Sequence, residues 1–325
     1  MESRQRLRFL SLTDAGNSLK SIRKLSSPGH SGRGQAESEN SAPALSIAKP
    51  KPPGSPQNGK MRIIAVTSGK GGVGKTNVVA NLAASLAEMG KRVVVLDADF
   101  GLANIDVLLG LAPRFHLGHV LFGKKKLTEI MLEGPSGLRV IPASSGLRDL
   151  AELTPEQRNY LVRSFAELEG DAEYLLIDTA AGISSNVMHF LLSVPEVVVV
   201  SAPEPTAIVD SYAVIKILLA EEPTKIIRVL INSVSDEAES RDVFRQINSV
   251  VKRFLNREVL YLGHIERDGH VTKAVRSQVL VTNSYPNAPA SRCFRKLAHA
   301  VDLQNETAAG PEMFVWEKLL NHWIN

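Results

Sequence analysis

Eight consecutive residues, Gly69-Lys70-Gly71-Gly72-Val73-Gly74-Lys75-Thr76, satisfy the spacing G-x-x-x-x-G-K-[ST]. The glycines let the backbone bend and turn its N–H groups toward an anion, and a helix that follows adds its positive end. Lys75 is placed to reach the β- and γ-phosphates of a nucleotide, and the Thr76 hydroxyl to ligate Mg²⁺. Asn77 carries the loop into the helix that follows. The predicted chemistry is the binding of a nucleoside triphosphate with Mg²⁺. A second lysine, Lys70, stands just after the first glycine.

Carboxylates supply the next signal. The apolar run from Arg92 ends in Leu96-Asp97-Ala98-Asp99, and Asp97 and Asp99, two residues apart, can point the same way at the end of a strand. Open α/β sheets bind ligands at the C-terminal edge of their strands. A carboxylate there can orient an attacking water or hold a metal-bound water, although Asp97 could instead cap local N–H groups. EYLLIDT carries Asp178 near its end, an apolar strand delivering an acid that holds Mg²⁺ through water. Pro203 and Glu204 follow another such run and reach the same edge.

LINSV puts Asn232 at a strand end, where its amide can pair with the adenine edge. Positions 232–236 read Asn-Ser-Val-Ser-Asp, without the [NT]-K-x-D motif that reads guanine, so ATP is expected over GTP. IERDGHVTKAVRSQ is expected beside the base, with Asp268 a candidate contact. His264 and His270 read as ordinary loop histidines rather than a metal site, because no second ligand cluster accompanies them.

These residues need a scaffold, and the apolar pattern provides one. Short β-branched runs occupy 62–68, 92–98, 138–143, 173–179, 196–202 and 226–232, with a last strand near 259–263. Their apolar character is continuous rather than alternating, as in strands covered on both faces. Helical stretches lie between them, for example 77–88, 206–219 and 242–254, and a last core helix spans 286–304. The alternation predicts an α/β fold, a doubly wound, mostly parallel sheet with helices on both faces.

The chain has 325 residues, 44% hydrophobic and 22% charged, the proportions of a globular protein with a sizeable core. No apolar run approaches the ~20 residues of a membrane span. Cys293 is the only cysteine; alone it can make neither an internal disulfide nor a Cys-based zinc or iron–sulfur site, and the chain fits a reducing cytoplasm. Residues 1–60 carry ten Lys/Arg and four Asp/Glu, a net +6, whereas the remaining 265 carry 28 and 30, a net −2. The basic character therefore belongs to an arm, with one or two short docking helices before a Ser/Gly/Pro-rich linker. Such an arm suits nucleic acid, an anionic membrane or an acidic partner, or is simply solvated. It lacks interleaved aromatics and the body is not basic, which argues against nucleic acid.

After the ATPase body, taken as 61–305, a polar spacer leads to a terminal segment, 313–325. Wound as a helix at about 100° per residue, it puts Met313, Val315, Trp316, Leu319, Leu320, Trp323 and Ile324 on one half. Both tryptophans of the chain lie here. Met313, Trp316, Leu319, Leu320 and Trp323 are the expected membrane contacts of an interfacial helix. Lys318 is the segment's only cation, and the alternative is a helix docked on the protein or in a dimer contact.

KGGVGKT, LDADFGLANID, LLIDTAAGIS, APEPTAIVDSYAVIK and YPNAPAS together resemble the FlhG (FleN, YlxH) branch of the MinD/ParA deviant Walker A ATPases. The resemblance covers about residues 61–305 and implies the following. Lys70 reaches across a dimer interface to the partner's nucleotide, a cation delivered to the γ-phosphoryl oxygens in trans. Asp99, second acid of a D-x-D motif, positions the attacking water, while Asp97 supports Mg²⁺ from its outer shell. Lys70, Asp99 and Lys75 form the catalytic set. Residues 179–182 correspond to a loop that senses the γ-phosphate; Ala180 replaces a commoner Gly there, which predicts altered flexibility. The terminal helix corresponds to a membrane-targeting tail.

The expected protein is thus a slow ATPase that dimerises with ATP and regulates flagellar number. It is expected in the cytoplasm, peripheral on the inner face of the cell membrane. Its expected partners are an FlhF-type GTPase or a flagellar basal-body or regulatory protein. The family's GTPase-stimulating D-Q-A-x-x-L-R is matched best by Glu2-Ser3-Arg4-Gln5-Arg6-Leu7-Arg8, in which Leu7 and Arg8 agree. The alternative is a MinD- or ParA-type protein positioning division machinery or DNA.

Overall fold

A computed structural model describes residues 61–99, 104–142 and 155–303. The N-terminal arm and the terminal amphipathic segment lie outside these residues. Among the described residues, eight strands form one sheet. The first four are β1 (Arg62–Thr67), β2 (Val93–Ala98), β3 (Leu132–Glu133) and β4 (Arg139–Ile141). The others are β5 (Tyr174–Thr179), β6 (Glu196–Ser201), β7 (Ile226–Val234) and β8 (Leu260–Glu266). Their order is β3-β4-β2-β5-β1-β6-β7-β8, and all pairs are parallel except β3 with β4.

Every residue of β1, β2, β5 and β6 is buried, which is why their apolar runs do not alternate. Side chains leave a strand on alternate faces, so one run serves two cores. Ile63 and Ala65 enter one layer, and Ile64 and Val66 enter the other.

The helices are α1 (Lys75–Glu88), α2 (Ile105–Leu108), α3 (Leu117–Leu121), α4 (Leu127–Ile130), α5 (Pro155–Ala166) and α6 (Ser185–Ser193). They continue with α7 (Pro205–Glu221), α8 (Glu237–Leu255), α9 (Gly269–Arg276), α10 (Val281–Ser284) and α11 (Pro289–Leu303). Apolar residues of α1, α2, α10 and α11 fill one layer; those of α3, α6, α7 and α8 fill the other. The expected doubly wound α/β sheet, covered on both faces, is what forms.

The sequence reading missed the short β3, which runs against its neighbour, and α9. Two residues of strand and an eight-residue helix carry too little periodicity to announce themselves. β8 also extends to Glu266, past the expected end, so His264 is a strand residue and not a loop one.

Candidate functional site

The loop after β1 begins beside α7. An added Cβ on Gly69 would lie 2.2 Å from the Asp210 backbone, so only glycine fits this approach. Gly72 and Gly74 adopt φ of 82° and 89°, the left-handed region that glycine enters without strain. A Cβ on Gly74 would also meet Asn232 Nδ2 at 2.5 Å. Gly74 precedes α1 and supplies no side-chain cap, which suits the first turn to an external anion.

A cleft of about 250 Å³ lies over this turn. Gly71, Gly72, Gly74, Lys75, Thr76, Asn77 and Asp99 line it, joined by Ser68, Asn104 and Ala181. Val73 faces inward, and its carbonyl accepts from Asn232 Nδ2 at 2.7 Å. Gly182 N–H donates to the Ser68 carbonyl at 2.8 Å, which ties residues 179–182 to the start of the loop. Ala180 is not among the residues with positive φ, so the replacement of Gly there introduces no backbone strain.

Lys75 is buried and donates to Asp178 Oδ1 at 2.7 Å. Asp178 and Asp97 are register partners on the adjacent strands β5 and β2. Burial raises the Asp178 carboxyl above its ordinary range; Lys75 and the Thr76 hydroxyl oppose that rise. Burial, then the charge of Asp178, pushes Asp97 up to about 6. The neighbouring Asp178 charge raises the proton affinity of Asp97, and a divalent cation between the two would reverse the effect. Thr76 and Asp178 offer hard oxygen donors, which fit Mg²⁺.

Asp97 and Asp99 are used differently. Asp97 Oδ1 accepts from Asp99 N–H at 3.1 Å, and Oδ2 accepts from Asn104 and Ile105 N–H at 3.0 and 3.2 Å. It therefore caps the start of α2. Asp99 is half-buried and faces the phosphate cleft.

Lys70 turns outward. Its ammonium donates to Glu204 Oε2 at 2.6 Å and to Thr206 Oγ1 at 3.2 Å, at the start of α7. Hydrogen bonding to Lys70, then its charge, holds the Glu204 carboxyl below its ordinary value. Glu204 is thus the counter-ion of Lys70, and it does not line the phosphate cleft. Thr206 went unnoticed in the sequence, because a lone threonine after a proline carries no pattern.

A second cleft of about 170 Å³ adjoins the first and shares Gly74 and Asn77 with it. Asn232, Ser233, Glu266, Arg267 and Asp268 line it. Asp268 caps α9 through His270 N–H at 2.9 Å and accepts from Ala290 N–H at 3.1 Å. Burial tends to raise Asp268, but these N–H groups and His270 outweigh it and hold the carboxyl below its usual value. The residue expected to touch a base therefore also fastens α9 to α11. Met313, Trp316, Leu319, Leu320 and Trp323 lie outside the described residues, and among those described no helix is long and apolar enough to cross a membrane.

Comparison with known proteins gives the family and the fold. The model of the CobQ/CobB/MinD/ParA nucleotide-binding domain matches residues 64–281. The antiactivator FleN of Pseudomonas aeruginosa is 42% identical over 81% of this chain and 94% of its own length. The flagellum site-determining protein YlxH of Helicobacter pylori is 36% identical over 77% of this chain and 85% of its own. Among solved structures, MinD of Pyrococcus horikoshii with Mg-ADP superposes with a TM-score of 0.62 at 25% identity, covering 77% of this chain and all of that one. The MinC:MinD complex of Aquifex aeolicus gives 0.61 at 26% identity, over 77% of this chain and 98% of the other.

Proposed function

This chain belongs to the CobQ/CobB/MinD/ParA nucleotide-binding family, in its FlhG (FleN, YlxH) branch, and from that premise we propose an ATP-driven dimerising switch that regulates flagellar number or placement. The observation that carries this reading is the opposite orientation of two lysines in one loop. Lys75 is buried over the cleft on Asp178, whereas Lys70 points outward to Glu204 and Thr206. A buried lysine serves its own protomer's phosphates. An exposed one, held by a solvent-screened pair, is easily released to a second copy.

In this reading the loop N–H groups and Lys75 hold the phosphates of ATP. Thr76 and Asp178 hold Mg²⁺, which would neutralise phosphate charge, with Asp97 supporting from behind. Lys70 leaves Glu204 for the partner's γ-phosphate, and Asp99 orients the attacking water. The Asn232 carbonyl oxygen accepts from the adenine amine, while its amide nitrogen keeps the loop in shape. Asp268 and Glu204 border the nucleotide without gripping it. Hydrolysis is slow, because the useful product is a conformational state. The terminal helix attaches the dimer to the inner membrane face, where two anchors act with avidity. FlhF-type GTPases or flagellar basal-body and regulatory proteins are the partners.

Sedimentation with a non-hydrolysable ATP analogue tests the switch. Wild type and Asp99→Ala should sediment as dimers, Lys70→Ala as a monomer, and both variants should lose at least tenfold in ATPase rate. A wild-type monomer at saturating analogue, or a Lys70→Ala dimer with full turnover, overturns the reading.

A further inference from the structure

Away from the phosphate cleft, β8 and α11 bring three metal-capable side chains together. His264 and Glu266 are two residues apart on β8, and Cys293 meets them from α11. One donor atom from each lies within 4.8 Å of the other two. Cys293 Sγ stands 3.8 Å from Glu266 Oε1. A tetrahedral cation with bonds of about 2.3 Å to sulfur and about 2.0 Å to oxygen would hold such a pair about 3.5 Å apart. The site therefore needs small side-chain adjustments and no backbone movement.

The surroundings suit a ligand shell. The Tyr261 hydroxyl lies 3.3 Å from His264 Nδ1 and 2.9 Å from Ser240 Oγ. Outer hydrogen bonds of this kind fix the orientation of a ligating imidazole. A cavity of about 180 Å³ opens beside His264 and Cys293, with room for a water in a fourth position. Lys296 on that cavity opposes a cation, and Glu237 on the same cavity offsets it.

We propose that His264, Glu266 and Cys293 form a binding site for one divalent cation of the zinc type. Thiolate and imidazole donors favour such a borderline cation over Mg²⁺ or Ca²⁺, which prefer oxygen. The cation would fasten β8, whose one strand neighbour among the described residues is β7, to the last core helix. Glu266 also lines the second cleft, so the cation would sit against the wall of that cleft.

The test uses the full-length chain without an affinity tag, stripped of metal and kept reduced. Zn²⁺ is titrated against a chromophoric chelator in excess Mg²⁺, which occupies oxygen-only sites. One equivalent is expected, with affinity reduced about tenfold or more in His264→Ala and in Cys293→Ser. Zn²⁺ should raise the melting temperature of wild type and of neither variant. Co²⁺ should produce a thiolate-to-cobalt charge-transfer band that disappears in Cys293→Ser; this signature in wild type needs no variant to fold. ADP binding by both variants checks that they are folded. The absence of a tight equivalent, its retention in both folded variants, or a Co²⁺ spectrum without the thiolate band overturns the proposal.

Discussion

Asp97 holds three backbone N–H groups with two oxygens, yet its ionised form is disfavoured in the fold by burial and by Asp178. The sign of the pH effect follows. The folded pKa of about 6 exceeds the ordinary 3.8, so the folded state binds the proton more tightly. Stability from this group is complete below the unfolded pKa and is lost as pH rises through about 6. Relative to Asp97→Asn, wild type should gain about 1 kcal/mol between pH 7 and pH 5, read from denaturant midpoints without Mg²⁺. Mg²⁺ with nucleotide should flatten that difference, because a cation beside the pair favours both anions. An unchanged difference across this window would remove Asp97 from the electrostatics of the site.

At the scale of elements, the loop and α7 are built against each other. Gly69 allows α7 to pass 2.2 Å from where a Cβ would be, and that approach brings Glu204 and Thr206 to Lys70. Gly69→Ala should cost about 1–3 kcal/mol by overpacking. Gly74→Ala should cost a similar amount through its positive φ and its clash with Asn232. Gly71 has open space around its Cβ position, so Gly71→Ala should melt within a degree or two of wild type. Thermal unfolding of the three variants checks the ranking; equal losses would mean that crowding by α7 does not constrain the loop. At the other end of the strands, Arg62 and Arg228 both donate to Glu196, at 2.8 and 2.6 Å, with all three side chains buried. Glu196→Ala strands two guanidinium groups and should cost about 3–5 kcal/mol. ADP affinity of the protein that remains folded should not change, because the phosphate cleft lies at the opposite edge of the sheet.

For the whole molecule, the proposed switch rests on segments at both ends of the chain. If the terminal helix is the membrane anchor, Trp323→Glu should abolish ATP-dependent co-sedimentation with anionic vesicles. Dimerisation by the same protein should persist. Loss of both together would place the helix in the dimer contact instead. The described core gives such a switch a rigid base: two apolar layers enclose one sheet, and the residues at the cleft follow directly from buried strands. Asp97 and Asp178 cannot move apart without breaking the β2–β5 register, so the proposed switch would have to work through the loops and Lys70.

The phosphate loop, the strands that deliver Asp97, Asp178 and Asn232, and the two-faced sheet could all be read from residue order. Those features are local: a glycine pattern fits one kind of turn, and a continuous apolar run fits a strand covered on both sides. Tertiary structure alone decided what each polar side chain does. Glu204 lies 134 residues from Lys70, and Thr282, which bonds Asn81 within the core, lies 201 residues away from it. Cys293 meets Glu266 across 27 residues, and that separation too carries no pattern a sequence could show. A hydrogen-bond partner is set by where packed elements bring atoms within about 3 Å, and periodicity along the chain carries no record of that.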